Sequence, residues 1–160
     1  MGVRDWNFKQ KPSGTWKRLL RSPVYLFHAR LGLLFGERLL LISHVGRTSS
    51  RRFETPVEVV EHDRGANEYI VCSGTGPRAD WYLNITAHPA EQVQVGNRRW
   101  HPRQRSLSQQ EAAERFARYE HGHPRAAARL LKSMGNGYDG TDDGRFEMMA
   151  RMPMIAFSDR

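Results

Sequence analysis

Two stretches of the 160-residue chain gather the groups that an anionic ligand needs. In the first, Ser43-His44-Val45-Gly46-Arg47-Thr48-Ser49-Ser50-Arg51-Arg52, an apolar run opens into a turn carrying three Arg, two Ser and one Thr. Guanidinium forks, hydroxyls and turn N–H groups together supply directional donors and fixed positive charge. The plainer reading is a solvated basic turn. In the second, Cys72-Ser73-Gly74-Thr75-Gly76-Pro77-Arg78-Ala79-Asp80-Trp81-Tyr82-Leu83-Asn84, a strand opens into a Gly-rich loop and then a helix start. Backbone N–H groups and the helix dipole converge there, and the glycines let a ligand approach the backbone closely. The plainer reading is a strand-to-helix turn with Trp81 and Tyr82 in the core. A lone Gly-x-Gly is a weak signal; two donor-rich turns that flank one phosphate make a stronger one.

Other groups promise less. Tyr82 and His44 could donate a proton to a reduced product, although packing is the commoner role for an aromatic at a helix start. The segment Glu120-His121-Gly122-His123 looks like a ligand cluster but fits none of the helical zinc spacings, so no metal site is expected. There is no G-x-S-x-G elbow of a serine hydrolase and no G-x-G-x-x-G. Cys72, the single cysteine, reads as a buried thiol, and the Arg99, His101, Arg103, Arg105 stripe as a solvent-facing strand surface.

Short strands must position the two turns. Leu39–Val45 is a continuous apolar run that suits a buried strand, and Thr55–Val60 and Tyr69–Ser73 are β-branched and aromatic. Between these two, the cluster from Asp63 to Asn67 makes a hairpin turn. Asp80–Ala87 reads as a short helix with Asp80 as its N-cap and Pro89 just past its end. Gln92–Val95 and Arg98–Arg105 form a hairpin around Gly96-Asn97. Ser108-Gln109-Gln110-Glu111 is a capping box opening a helix, and Pro124 starts another. Residues 135–145, with four Gly and three Asp, read as a loop, and Met152–Phe157 as a last strand. Upstream, apolar positions 16, 19, 20, 24, 27 and 31 have helical spacing with Lys and Arg between them. The pattern predicts an α+β domain: about six mostly antiparallel strands in a small barrel flanked by helices. Residues 1–15 form a flexible basic arm and 16–160 a single domain.

Charge and cysteine content limit the setting. The formal charge is +8, but residues 1–52 hold 11 basic and 2 acidic side chains while the remainder is close to neutral. One basic region points to an anionic partner and argues against a uniformly basic nucleic-acid coat. One cysteine forms no internal disulfide, which fits a reducing cytoplasm. No secretory signal is evident, and the most apolar stretch, Leu31 to Val45, is interrupted by Glu37 and Arg38 and is too short to span a bilayer.

With these residues in place, the pattern resembles the nitroreductase-family deazaflavin (F420)-dependent oxidoreductases. It is carried by Gly46, Arg47, Ser49, Thr55, Glu58, Val59, Val60, Ser73, Gly74, Gly76, Ala79, Asp80, Trp81, Tyr82, Asn84, Ala87, Pro89 and Val93–Gly96. The resemblance covers most of the chain from about Leu39, and Asp-Trp-Tyr-x-Asn is its most specific part. It implies a split β-barrel and coenzyme F420, an 8-hydroxy-5-deazaflavin with a phosphate and an oligoglutamate tail. It further implies hydride transfer to a quinone, nitro compound or activated alkene, and frequent homodimerisation. Positions matching the cofactor turns are Arg47, Thr48, Ser49, Arg51 and Arg52, then Ser73, Gly74, Thr75 and Gly76, with Trp81 and Asn84 beyond. The backbone around Thr55, Pro56 and Val57 would face the ring. Many members have Lys where Thr48 stands, Gly where Ser50 stands and Arg where Phe53 stands; Arg51 and Arg52 would compensate.

The alternatives keep the barrel with FMN or haem, or make it a non-catalytic binder of a lipid or hydrophobic ligand. Residues 1–30, with seven basic and one acidic side chain, lie outside the family pattern. Trp6, Phe8 and Trp16 among them suit a peripheral contact with the inner membrane surface. Nucleic acid is not an expected partner, since no helix-turn-helix or aromatic RNA-binding motif accompanies the charge.

Overall fold

The computed structural model of the chain describes residues 23–133, 135 and 137–159; the expected arm and most of the first basic helix lie outside them. A helical turn over 23–28 and a 3-10 turn, Gly32–Phe35, lead into the first strand. The strands are β1 (Leu39–Val45), β2 (Arg52–Asp63), β3 (Glu68–Cys72), β4 (Gln92–Val95), β5 (Arg98–Trp100), β6 (Arg103–Ser106) and β7 (Met154–Ser158). The helices are α1 (Asp80–Ala87), α2 (Gln109–Gly122), α3 (Pro124–Ser133) and α4 (Asp142–Met149). All strand pairs are antiparallel, in one seven-stranded sheet ordered β5-β4-β1-β2-β3-β7-β6.

Strands β5 and β6 stand at opposite ends of that order, yet only His101 and Pro102 separate them. The sheet must therefore curl until its two edges meet, the geometry that removes exposed strand edges in a barrel. Side chains bridge the seam. Trp100 Nε1 on β5 donates to the Ser158 carbonyl on β7 at 3.2 Å, and Arg98 pairs with Asp159. Gln104 on β6 accepts from Ala90 N–H at 2.8 Å and donates to the Ile85 carbonyl at 2.7 Å. His101-Pro102 thus splits the expected Arg98–Arg105 strand in two, because the chain changes edge there.

Alternation along the strands divides the buried residues between two faces. Leu40, Ile42, Val57, Tyr69, Val71, Val93, Ile155 and Phe157 fill the barrel interior, with Ile85 of α1 plugging one end. Ile70, Cys72, Met154 and Ala156, one residue out of phase, meet Ala112, Phe116 and Tyr119 of α2 and Met148 and Met149 of α4 on the outside. On β2 Val60 faces the helices by the same alternation that turns Val57 and Val59 inward; the bulge between Val59 and Glu61 then resets the period, setting Glu61 opposite the outward Ile70 and His62 opposite the inward Tyr69. Gly32 sits against the Gly96 carbonyl with no room for a Cβ, which brings the 3-10 turn onto the β4–β5 hairpin.

Several local expectations hold, with adjusted ends. Helix α1 spans Asp80–Ala87, but Ala79 is its N-cap and Asp80 its first residue. Ser108 Oγ accepts from Glu111 N–H at 3.1 Å, while the Glu111 carboxylate goes to Arg105 rather than back to the cap. Arg99, His101, Arg103 and Arg105 all face solvent as expected, although Arg105 also pairs with Glu68, Arg99 Nε donates to Gln94 and His101 Nδ1 meets the Glu91 carbonyl. The expected loop over 135–145 gives way to α4, whose N-cap Thr141 accepts from Gly144 N–H at 3.0 Å. No helix among the described residues is long and apolar enough to cross a membrane.

Candidate functional site

The turn between β1 and β2 is anchored to α1. Arg47 N–H and Arg47 Nη1 both donate to Asn84 Oδ1, at 3.1 and 3.0 Å, and the guanidinium reaches Asp80 Oδ1 at 3.3 Å. Asn84 is buried, and its Nδ2 lies 3.2 Å from His44 Nδ1. His44 Nε2 in turn lies 3.0 Å from Thr55 Oγ1 on β2, and Phe53 stacks on the imidazole. His44 is 2 % exposed, and burial holds its pKa below the ordinary value, so the ring is neutral. Because Asn84 Oδ1 already serves two donors, its amide N–H faces His44 Nδ1, and the imidazole proton sits on Nε2. The result is one chain of hydrogen bonds from Arg47 through Asn84 and His44 to Thr55.

Within the turn itself, a Cβ on Gly46 would lie 2.5 Å from Ser49 Oγ and 2.8 Å from Phe53 Cε2, so a side chain there would displace both groups. Ser49 Oγ accepts from Arg51 N–H at 3.3 Å, and Ser50 takes a left-handed φ of 54°. The guanidinium of Arg51 has no ion pair among the described residues, whereas Arg52 reaches Glu91 at 3.2 Å. Thr48, Ser50 and Arg51 therefore carry exposed side-chain donors with no partner among the described residues, and Arg47 is the group that fastens the turn down.

Strand β2 carries an open edge beside this turn. Its residues Arg52–Glu58 pair with β1, but pairing with β3 begins at Val59. Val59 N–H donates to the Arg38 carbonyl and Gly46 N–H to the Arg51 carbonyl, so odd-numbered residues of β2 direct their backbone groups to β1. By the alternation of an antiparallel ladder, Glu54, Pro56 and Glu58 direct theirs to the unpaired side. Pro56 fits there because its missing N–H falls where no partner strand needs it. Val57 points into the barrel interior.

The second donor-rich turn is more committed than its sequence implied. Ser73 is fully buried; its Oγ donates to the Gly76 carbonyl at 2.6 Å and its N–H to the Pro153 carbonyl. Gly74 N–H and Gly76 N–H are also used within the loop, and Gly76 has a φ of 90°. Thr75 and Arg78 stay exposed. Trp81 and Tyr82 pack partly against the barrel interior, edge to face. The two turns meet through α1, since the loop ends at Asp80 and the Arg47 guanidinium binds that carboxylate.

Sequence reasoning passed over a cleft on the outer face of β2. A space of about 330 Å³ lies between β2 and α2, with Glu58, Glu61, Arg118, Tyr119 and His123 on its walls. It continues into a second space of about 570 Å³ lined by Arg38, Leu39, Glu58, Ala126, Arg129 and Leu130. Tyr119 donates to Glu58 Oε1 at 2.7 Å, and burial raises the phenol pKa well above its ordinary value. The alternation of Glu58 against Val57 and Val59 marks it as facing outward, the one sequence signal for this site. Elsewhere, no group of three or more His, Cys, Asp or Glu is placed to hold a metal among the described residues.

Residues 16–132 match the family model described as F420H(2)-dependent quinone reductase, which covers well over half of the chain. The chain belongs to that family. A solved F420-H2 dependent reductase (FDR-A) superposes with a TM-score of 0.50 at 18% identity, over 77% of this chain and 96% of that one. A structure described as a domain-swapped dimer gives a TM-score of 0.53 at 18% identity, over 89% and 97%. Comparison with curated proteins gave no match. These likenesses establish the split β-barrel fold, and membership of the F420H(2)-dependent quinone reductases makes the chain an oxidoreductase whose cofactor is coenzyme F420. The residues present fit that molecule: an exposed, arginine-bearing turn suits its phosphate and carboxylates, and the adjacent open backbone edge offers hydrogen-bonding groups to a planar polar ring.

Proposed function

We propose that this family member delivers hydride from reduced F420 to a small quinone, with a nitro compound or activated alkene as alternative acceptors. In this reading the cofactor's anionic tail lies on the β1–β2 turn and its ring along the open edge of β2. The observation that carries it is the continuity of the two features: the unpaired backbone of Glu54, Pro56 and Glu58 starts where the arginine-bearing turn ends.

When bound, the reduced deazaflavin supplies the hydride, so the protein has to bind, orient and exclude water. Arg51 and the Thr48 hydroxyl meet the phosphate or glutamate carboxylates. Arg47 acts indirectly, holding the turn against Asn84 and Asp80. The Pro56 carbonyl offers an acceptor to a ring N–H, and Thr75 and Arg78 guard the far side of the gap. His44 serves as a positioning residue, since its Nε2 proton is held at Thr55; Tyr82 stays the candidate for delivering a proton to product.

Fluorescence titration of the purified protein with F420 and with FMN tests this. Saturable micromolar binding of F420, and much weaker binding of FMN, is expected. Arg51→Ala should weaken F420 about tenfold, the size of one lost charge-assisted contact, yet leave the tail-less deazaflavin unchanged. Absence of saturable F420 binding, or equal losses for both deazaflavins, would overturn the placement. Steady-state rates with a naphthoquinone, a nitroaromatic and an activated enone then rank the acceptors.

A further inference from the structure

The larger of the two outer spaces has an unusual charge arrangement. Arg38, just before β1, and Arg129, on α3, both line it. Neither guanidinium has an ion-pair or hydrogen-bond partner among the described residues. That contrasts with the neighbouring arginines: Arg64 pairs with Glu37, Arg115 with Glu61 and Asp63, and Arg118 with Glu61. Leu39, Ala126 and Leu130 supply the apolar part of the same lining. Glu58, the single carboxylate in this space, has one oxygen occupied by the Tyr119 phenol.

Two guanidiniums without ion pairs, set against a single carboxylate around an apolar pocket, are complementary to an apolar ring body that carries an anionic group. Position strengthens this. Glu58 lines the space and also ends the open edge of β2, two residues beyond Pro56 and so about 7 Å along the strand. A molecule seated between Arg38 and Arg129 therefore lies next to the edge assigned to the deazaflavin ring. We propose that this cleft selects an acceptor bearing a carboxylate, with Arg38 and Arg129 as specificity-determining residues that bind the anion and Leu39, Ala126 and Leu130 covering its rings. The assignment of the molecule as an acceptor rests on the reductase reading above; the assignment of the anion site does not.

The experiment separates the two. Binding of 2-naphthoate, which has the ring body and the carboxylate but no redox chemistry, is followed by calorimetry on the cofactor-free protein, beside its methyl ester. Naphthoate should bind at least tenfold tighter than the ester and lose affinity with added salt. Arg38→Gln and Arg129→Gln should each weaken naphthoate severalfold and leave the ester unchanged. Glu58→Gln, which removes the opposing charge, should tighten naphthoate. Both arginines are exposed, so the variants are expected to fold, and circular dichroism checks that. Equal affinity for naphthoate and ester, or a double arginine variant that binds naphthoate as well as the parent, overturns the proposal. Turnover is the second arm: with F420H2, a naphthoquinone carboxylate should show a lower KM than its ester, and the double variant should erase that preference. Naphthoate binding without any F420-dependent turnover of the quinone carboxylate would leave the anion site standing and remove its assignment as the acceptor site.

Discussion

Asn84 and His44 meet through Nδ2 and Nδ1 at 3.2 Å, and this contact sets the protonation state of a buried imidazole. Asn84 Oδ1 is claimed by two donors of Arg47, so the amide has no freedom to flip. His44 must then accept at Nδ1 and carry its proton on Nε2, toward Thr55. Long-range nitrogen–proton NMR correlations at neutral pH should show Nε2 as the protonated nitrogen. Asn84→Asp keeps an acceptor for Arg47 but offers His44 another acceptor, so the proton should move to Nδ1. A parent protein protonated on Nδ1 would disprove the amide orientation.

The same burial makes His44 a source of acid sensitivity. Its native pKa lies below the ordinary value of 6.5, so between the two values the unfolded chain binds the proton and the native chain does not. Stability from this group is therefore complete above the unfolded value, falls as pH drops through it, and stops falling below the native value. Urea unfolding midpoints between about pH 7 and pH 5, the range in which histidine titrates, should decline more steeply for the parent than for His44→Gln. Parallel declines would show that His44 is already protonated in the native state.

Ser50 stores a small amount of strain at the end of the anion turn. Its φ of 54° lies in the left-handed region, which a side chain disfavours by about 1 kcal/mol relative to glycine. Ser50→Gly should therefore stabilise the fold by up to about 0.5 kcal/mol once the extra freedom of the unfolded chain is offset. Denaturant unfolding measures it directly, and a loss of stability would mean that the serine side chain makes a contact worth more than the strain.

Cys72 should be chemically silent while the protein is folded. It lies on the outer face of β3 under Met148 and Met152, with its Sγ 3.8 Å from the Met152 carbonyl, and burial pushes its pKa up to about 12. Thiolate is the reactive form, so Ellman's reagent at mildly alkaline pH should label it only as fast as the protein opens. The labelling rate should rise with urea in step with global unfolding; fast labelling in buffer would place the thiol at the surface.

Local signals read well from sequence, and those that depend on closure did not. Gly96-Asn97 marked a hairpin because a two-residue turn needs little beyond its own residues, and Ser108 marked a helix start for the same reason. The break at His101-Pro102 was hidden because it follows from the meeting of two sheet edges, a long-range event with no local composition cue. Helix α4 was hidden by its Gly- and Asp-rich start, where Thr141 caps a sequence that resembles a loop. The β1–β2 segment was legible as an arginine-bearing turn, but that Arg47 is fastened to α1 while Arg51 keeps no ion pair among the described residues was not. That difference depends on Asn84, thirty-seven positions away from Arg47 in sequence and brought to it by the fold. Arg38 and Arg129, the proposed anion-binding pair, carried no pattern at all, because what singles them out is the lack of a carboxylate partner among the described residues.

Gln104 offers the cleanest test of barrel closure. It sits on β6, at one edge of the sheet, and its amide satisfies two backbone groups that belong to the other side of the seam, Ala90 N–H and the Ile85 carbonyl. Ala90 and Ile85 are both buried, so water does not readily replace the amide. Gln104→Leu keeps similar bulk but strands one donor and one acceptor, which should cost about 2–4 kcal/mol. Gln104→Glu keeps an acceptor for Ala90 N–H but turns a carboxylate oxygen toward the Ile85 carbonyl, so it too should destabilise, and less so at low pH where the carboxyl is protonated and can donate. Hydrogen exchange at the Ala90 amide distinguishes the two variants: it should accelerate strongly in Gln104→Leu and only in proportion to global stability in Gln104→Glu. Unchanged stability and unchanged exchange in the leucine variant would mean that the two sheet edges are held together without this side chain, and that Trp100 and the Arg98–Asp159 pair close the seam on their own.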